Sequence, residues 1–255
     1  MKKVKMLGLL VVMLLLAGIF PVKTYAAGWI QGDNGLWWYQ HEDESYTTSG
    51  WETIGGKNYY FDEAGRMKTG WLKLENTWYY LSIYGDMQTG WKNIGGAWYY
   101  LKEDGAMLTG WQNIGNNRFY LDGSGAMYTG WLKLGNNWYY MNNSGAMLRG
   151  WQSIGGAWYH LNEDGVMLTG WQKIGNNWFY LNGSGAMTTG WQNVGGTWYY
   201  MNNSGAMLTG WQVIGGAWYY LDGSGAMHTG WIRLGETWYY LTASGAMAAN
   251  TWIGS

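Results

Sequence analysis

Residues 90–110 read GWKNIGGAWYYLKEDGAMLTG, and the reading of Gly95-Gly96 at the centre decides the fold. Two short apolar and aromatic runs flank this pair. A glycine pair between such runs predicts a two-residue hairpin turn, because both turn positions call for positive φ. With the turn placed there, Ile94 opposes Ala97 and Trp91 opposes Tyr100. Side chains alternate between the faces of a strand. Trp91, Trp98 and Tyr100 therefore share one face, and Ile94, Tyr99 and Leu101 share the other. The second face reads as core. The first is a row of electron-rich rings.

The stretch is one copy of a repeat. Gly-Trp pairs end at Trp51, Trp71, Trp91, Trp111, Trp131, Trp151, Trp171, Trp191, Trp211 and Trp231, always 20 residues apart. Gly115-Asn116, Gly135-Asn136 and Gly175-Asn176 repeat the turn, and Glu75-Asn76 and Gly235-Glu236 are weaker versions of it. A unit starting at Gly28, GWIQGDNGLWWYQHEDESYTTSG, is two residues longer. With it there are about eleven copies, and Thr251-Trp252-Ile253 reads as a terminal cap strand. A lone hairpin is marginal in water. Stacked hairpins can share a buried face along an array, so the sequence predicts an all-β, elongated hairpin-repeat solenoid over residues 27–255. The Gly near the end of each unit (Gly105, Gly125, Gly145) is expected in a left-handed conformation.

The bulk composition fits such an array. The 255 residues include 43 Gly, 22 Trp and 22 Tyr, no Cys, and only 12% charged side chains. The rings must be packed or used. The N-terminus reads as a leader: Lys2, Lys3 and Lys5 precede an apolar run from Met6 to Phe20, and Thr24 and Ala26 suit a cleavage site, so residues 1–26 are assigned as a signal peptide. The apolar run is short for a membrane span. Cleavage would leave a net charge of about −5, which speaks against nucleic acid as a partner and is compatible with a cationic one.

The pattern GWxxIGGxWYYLxxxGxMxTG, seen in Gly90–Gly110 and Gly210–Gly230, resembles the choline-binding repeats of Gram-positive surface proteins, autolysins and phage lysins. The resemblance runs over essentially the whole chain after the leader. It implies a left-handed β-solenoid of stacked hairpins with choline bound in the grooves between consecutive hairpins. Each site would take two aromatics from one hairpin and one from the next, with Met or another apolar side chain nearby. Carried over, the sites are Trp71, Trp78 and Tyr100; Trp91, Trp98 and Tyr120; Trp151, Trp158 and Tyr180; Trp171, Trp178 and Tyr200; Trp191, Trp198 and Tyr220; and Trp211, Trp218 and Tyr240. Asn58 and Arg118 stand where the second Trp belongs, and His160 is expected to weaken the groove of Trp131 and Trp138. The altered Trp29–Trp38 unit is left open. Trp231 and Trp238 lack a full following hairpin.

A quaternary ammonium has no N–H to donate and sheds water readily, so aromatic faces are its natural partners, at ~0.5–2 kcal/mol per ring. A packing role would be served as well by Leu, Ile or Phe, which the Trp–Trp–Tyr face avoids. The partner so implied is choline or a choline-substituted cell-wall polymer, on a secreted, wall-associated protein. Homodimerisation is compatible with this. The alternative is a carbohydrate-binding repeat that stacks glucan rings on the same platforms. A spacer or adhesin stalk is a third reading.

Catalytic chemistry is not expected. His41, His160 and His228 are scattered, there is no HExxH motif, and the acidic residues fall in outer turns rather than across a cleft. The GxG in Gly123–Met127 lacks the strand–helix setting of a phosphate loop. No cofactor or metal is called for.

Overall fold

The computed structural model describes residues 26–248. The cap strand expected at 251–253 lies outside them, and so does the leader, save for its last residue. The described chain is all-β. Its strands form eleven two-stranded antiparallel hairpins. Two compact units, divided after Tyr128, hold them. The first unit contains five, from the pair Gly28–Gln31 and Trp37–Gln40 to the pair Gly110–Ile114 and Asn117–Leu121. The second contains six, from Gly130–Leu134 and Asn137–Met141 to Gly230–Leu234 and Thr237–Leu241. Each hairpin is named below by the Trp of its first strand.

The register is the one the turn glycines dictate. In the Trp91 hairpin Ile94 pairs with Ala97, Asn93 with Trp98, Lys92 with Tyr99, and Trp91 with Tyr100. Gly95 and Gly96 have φ of 62° and 89°, so both occupy the left-handed region that a primed turn demands. The Gly-Asn turns correct the expectation. Gly115, Gly135 and Gly175 have positive φ, whereas their Asn partners do not. One left-handed residue at the first turn position closes these hairpins, as in a II′ turn. Glu75 fills that first position in the Trp71 hairpin at φ 53°, where a Cβ is unfavourable by ~1–2 kcal/mol. Glu75→Gly should therefore stabilise the protein by about 0.5–1 kcal/mol, read as a raised denaturant midpoint with an unchanged slope.

The core is narrower than the three-residue face read from the sequence. Fully buried are the residues that close each second strand: Phe61, Leu81, Leu101 and Leu121 in the first unit, and Met141, Leu161, Leu181, Met201, Leu221 and Leu241 in the second. Each sits opposite the glycine that opens its hairpin, as Leu101 does opposite Gly90, where no side chain competes for the space. Burying one such side chain contributes about 1.5–3 kcal/mol. Ile94 and Tyr99 themselves are only half-buried.

Main-chain bonds stitch successive hairpins together. The Met107 amide, in the loop after the Trp91 hairpin, donates to the Trp78 carbonyl at 2.8 Å, and Met207 does the same to Trp178 at 2.8 Å. The bond fixes each Met beside the second strand of the preceding hairpin. Its thioether then lies over the glycine of the next loop. A Cβ on Gly105 would stand 2.4 Å from Met87 Sδ, and one on Gly225 would stand 2.3 Å from Met207 Sδ. These glycines also have positive φ, 81° and 83°, as the sequence led us to expect.

Candidate functional site

The site is built from the second strand outward. Strand alternation sends Trp171 and Trp178 to the same face of one hairpin, and the two indoles meet as a corner, with centroids 6.5 Å apart and planes at 84°. Tyr199 of the next hairpin reaches Trp171 at 4.7 Å and 69°. Met207 completes the wall, and Gly223 and Ser224 of a third hairpin's loop form the rim of a cavity of about 350 Å³. The first unit repeats the arrangement with Trp71, Trp78, Tyr99, Met107 and Ser124 around about 210 Å³. The Trp71–Trp78 corner is 6.2 Å and 89°, and Trp71 meets Tyr99 at 4.8 Å.

The outer indole of each corner is costly to explain as packing. Trp178 is 42% exposed and Trp218 is 47% exposed. A large apolar ring held half in water, edge-on to a second indole and lining a concavity, is the arrangement of a ligand wall. The loop that supplies the rim favours positive charge. Ser224 donates to Asp222 Oδ1 from its amide at 2.7 Å and its hydroxyl at 2.6 Å. The hydroxyl bond is the main cause that holds the Asp222 carboxyl below its ordinary range and keeps it ionised.

The structure places the third ring one residue away from the expected one. Trp71 meets Tyr99, not Tyr100, and Trp91 meets Phe119, not Tyr120. Likewise Trp151 meets Phe179 rather than Tyr180, Trp171 meets Tyr199 rather than Tyr200, Trp191 meets Tyr219 rather than Tyr220, and Trp211 meets Tyr239 rather than Tyr240. The expected tyrosines pack on the Trp of their own hairpin instead, as Tyr100 does on Trp91 at 5.2 Å. The reason is front-to-back stacking. The Trp face of one hairpin meets the opposite face of the next, so the ring that crosses the groove belongs to the face first read as core.

This geometry also restores a groove that the sequence had marked as weak. Trp131 and Trp138 form a corner at 6.3 Å, and Tyr159 closes it at 4.9 Å. His160 lies elsewhere, against Trp151 at 5.0 Å. Its Nδ1 is buried without a hydrogen-bond partner, and burial pushes its pKa below the ordinary 6.5 despite the opposing charge of Glu163. The depressed value means that the unfolded chain binds the proton more readily. Stability should fall as the pH drops below about 6.5. His160→Tyr should abolish that part of the loss below about pH 6.5 and add about 1 kcal/mol, as measured by denaturation at neutral and at acidic pH.

The remaining grooves depart as their residues suggest. Asn58 leaves Trp51 with Tyr79 alone across the groove, at 5.1 Å. The Arg118 guanidinium lies 4.5 Å over the Trp111 ring, a resident cation on the inner indole, whereas Lys73 and Lys133 lie 5.7 Å and 5.6 Å over the outer indoles Trp78 and Trp138. In the first unit Trp29 meets Tyr59 at 4.8 Å, while Trp38 turns its Nε1 to the Ala64 carbonyl. Trp231 and Trp238 form a corner at 6.4 Å and stand 58% and 59% exposed. No signal in the sequence points to the rim serines, because Ser224 is brought to Trp171 only by the stacking of three hairpins. The Met walls were half-visible as an invariant position in the repeat.

The repeat model for choline-binding repeats matches residues 48–87, 88–129, 108–149, 148–189, 188–227 and 208–252. The chain belongs to the choline-binding repeat family. Among solved structures it is similar to CbpJ from Streptococcus pneumoniae TIGR4, with 35% identity over 89% of this chain and 96% of that one, at a TM-score of 0.69. It is also similar to choline binding protein F from Streptococcus pneumoniae, with 32% identity over 89% and 94%, at a TM-score of 0.63. The modular autolysin LytC from Streptococcus pneumoniae, in complex with a synthetic peptidoglycan ligand, matches at 29% identity and a TM-score of 0.57; 88% of this chain covers 53% of LytC. The likeness to LytC thus takes in about half of that autolysin. No curated protein matches the chain. Among the described residues no helix is long and apolar enough to cross a membrane.

Proposed function

We propose that this choline-binding repeat chain is an exported, non-catalytic surface protein that grips choline on a teichoic acid or similar wall polymer. The observation that carries this reading is the half-exposed indole corner facing a ring of the next hairpin, repeated along both units. In this reading the hairpins wind as a left-handed solenoid, and the leader at 1–26 sends the chain to the cell wall.

A trimethylammonium group in such a corner meets ring faces on three sides and a thioether on the fourth. Three rings supply roughly 1.5–6 kcal/mol before ordering costs, so one groove binds weakly, on the order of millimolar. A polymer that bears many cholines makes later contacts intramolecular and gains ~10²–10⁴ in avidity. Repetition is then the binding mechanism.

Retention of the protein on a choline or diethylaminoethyl resin, with release by free choline, is the expected result. Passage through that resin together with retention on immobilised glucan would overturn the reading in favour of sugar stacking.

A further inference from the structure

The repeats form an internal substitution series at the groove's third ring. Within the two units, seven grooves have two Trp walls and a ring from the next hairpin. Five close on a tyrosine. The Trp91 and Trp151 grooves close on Phe119 and Phe179.

The two Trp walls differ in step with that ring. In every tyrosine-closed groove the indoles form a corner at 6.2–6.5 Å and 84–89°. Among the described residues no such contact joins Trp91 to Trp98 or Trp151 to Trp158. The hairpins' own sequences do not account for this. The Trp91 and Trp151 hairpins turn on Gly-Gly, and so do the Trp191 and Trp211 hairpins, whose corners are closed. Asn93 faces Trp98 just as Asn193 faces Trp198. What these two grooves share, and the five others lack, is a phenylalanine across the groove. Phe119 and Phe179 are buried, at 8% and 9% exposure, whereas the five tyrosines are half-buried. Among the described residues their phenol oxygens have no hydrogen-bond partner.

We propose that the residue at this position sorts the array into two classes of cation site: tight grooves closed by tyrosine and weak grooves closed by Phe119 or Phe179. The proposal rests on the choline reading above and refines it. A closed corner sets two indoles and the facing phenol around the trimethylammonium group, with an oxygen free to bond the ligand's own. A groove faced by phenylalanine, whose two indoles do not meet in that corner, encloses the cation less completely and offers no oxygen. The loss of about one ring's attraction weakens a groove about threefold to tenfold.

Choline titration of the full-length chain, by calorimetry or equilibrium dialysis, tests this. The wild type is expected to show a tight majority class and a weaker minority class. The double variant Phe119→Tyr/Phe179→Tyr should move the weak sites into the tight class, and Tyr199→Phe should add a weak site. Because Tyr already occupies the same place in five grooves, the double variant is expected to fold. Should circular dichroism show otherwise, Tyr199→Phe, which removes only a hydroxyl, carries the test. A single class in the wild type overturns the proposal, as does a weak class that survives the double substitution or a Tyr199→Phe variant indistinguishable from wild type. Absence of any choline uptake by the wild type is a separate outcome, which overturns the choline reading and the two classes with it.

Discussion

Gly225→Ala should destabilise the second unit by about 2–4 kcal/mol, far more than the same change at two other glycines of that repeat. Gly225 has φ 83°, and a Cβ there would meet Met207 Sδ at 2.3 Å, Cε at 2.7 Å and Cγ at 2.8 Å. The left-handed backbone alone costs an L-residue ~1–2 kcal/mol, and forced overpacking adds ~1–3 kcal/mol. Gly215, at φ 58°, has nothing within 4 Å of its would-be Cβ, so Gly215→Ala should show the backbone share only, about 1–2 kcal/mol. Gly223 has neither positive φ nor a close neighbour, so Gly223→Ala should lie within about 0.5 kcal/mol of wild type. Denaturant midpoints of the three variants check the order. The steric share has a functional side. Met207 cannot retreat along its backbone, because its amide is bonded to the Trp178 carbonyl. Its thioether must give way toward the Trp171 groove that it lines, so Gly225→Ala should also weaken choline binding there. Gly215→Ala should leave it unchanged.

The repeat, the hairpin register and the faces of each strand could all be read from Gly95-Gly96 and its equivalents. A glycine pair between two five-residue runs permits one register, and alternation then sorts every side chain. What alternation cannot supply is the neighbour. It says that Trp71 and Trp78 share a face, and it is silent on which face of the following hairpin lies against them. The expectation of Tyr100 assumed that like faces meet. The structure stacks unlike faces, so Tyr99 crosses the groove and Tyr100 stays with Trp91. One consequence was a misplaced weakness, since His160 affects the Trp151 hairpin and not the Trp131 groove. The Asn of the Gly-Asn turns shows a different limit. Asn is common at positive φ, but a first-position glycine already reverses the chain, and the Asn stays in ordinary backbone space.

Removing five outer indoles of the second unit should sharply weaken polymer binding while the fold survives. The five positions are Trp138, Trp158, Trp178, Trp198 and Trp218, each exposed by 37% or more. An exposed ring contributes little to stability when it is truncated, so each change to Ala should cost about 1 kcal/mol or less. In its own groove the lost wall removes ~0.5–2 kcal/mol of cation attraction, a fall of about threefold to thirtyfold in choline affinity. Against a choline-bearing polymer the losses compound, because each emptied groove removes one intramolecular contact. Avidity of ~10²–10⁴ from that unit should disappear with the five changes together. The inner indoles make the control. Trp171 touches Tyr180 at 5.2 Å and Tyr199 at 4.7 Å besides Trp178, so Trp171→Ala removes packing and should cost about 3–5 kcal/mol. Resin retention and thermal unfolding, measured on the same variants, separate the two roles. Outer-wall variants should lose retention at no more than about 1 kcal/mol of stability per change, and Trp171→Ala should cost more stability than any one of them. If the outer-wall variants kept full retention, the outer indoles would be packing alone, since losing five ring walls should weaken polymer binding whatever Met207 and Ser224 add to the lining.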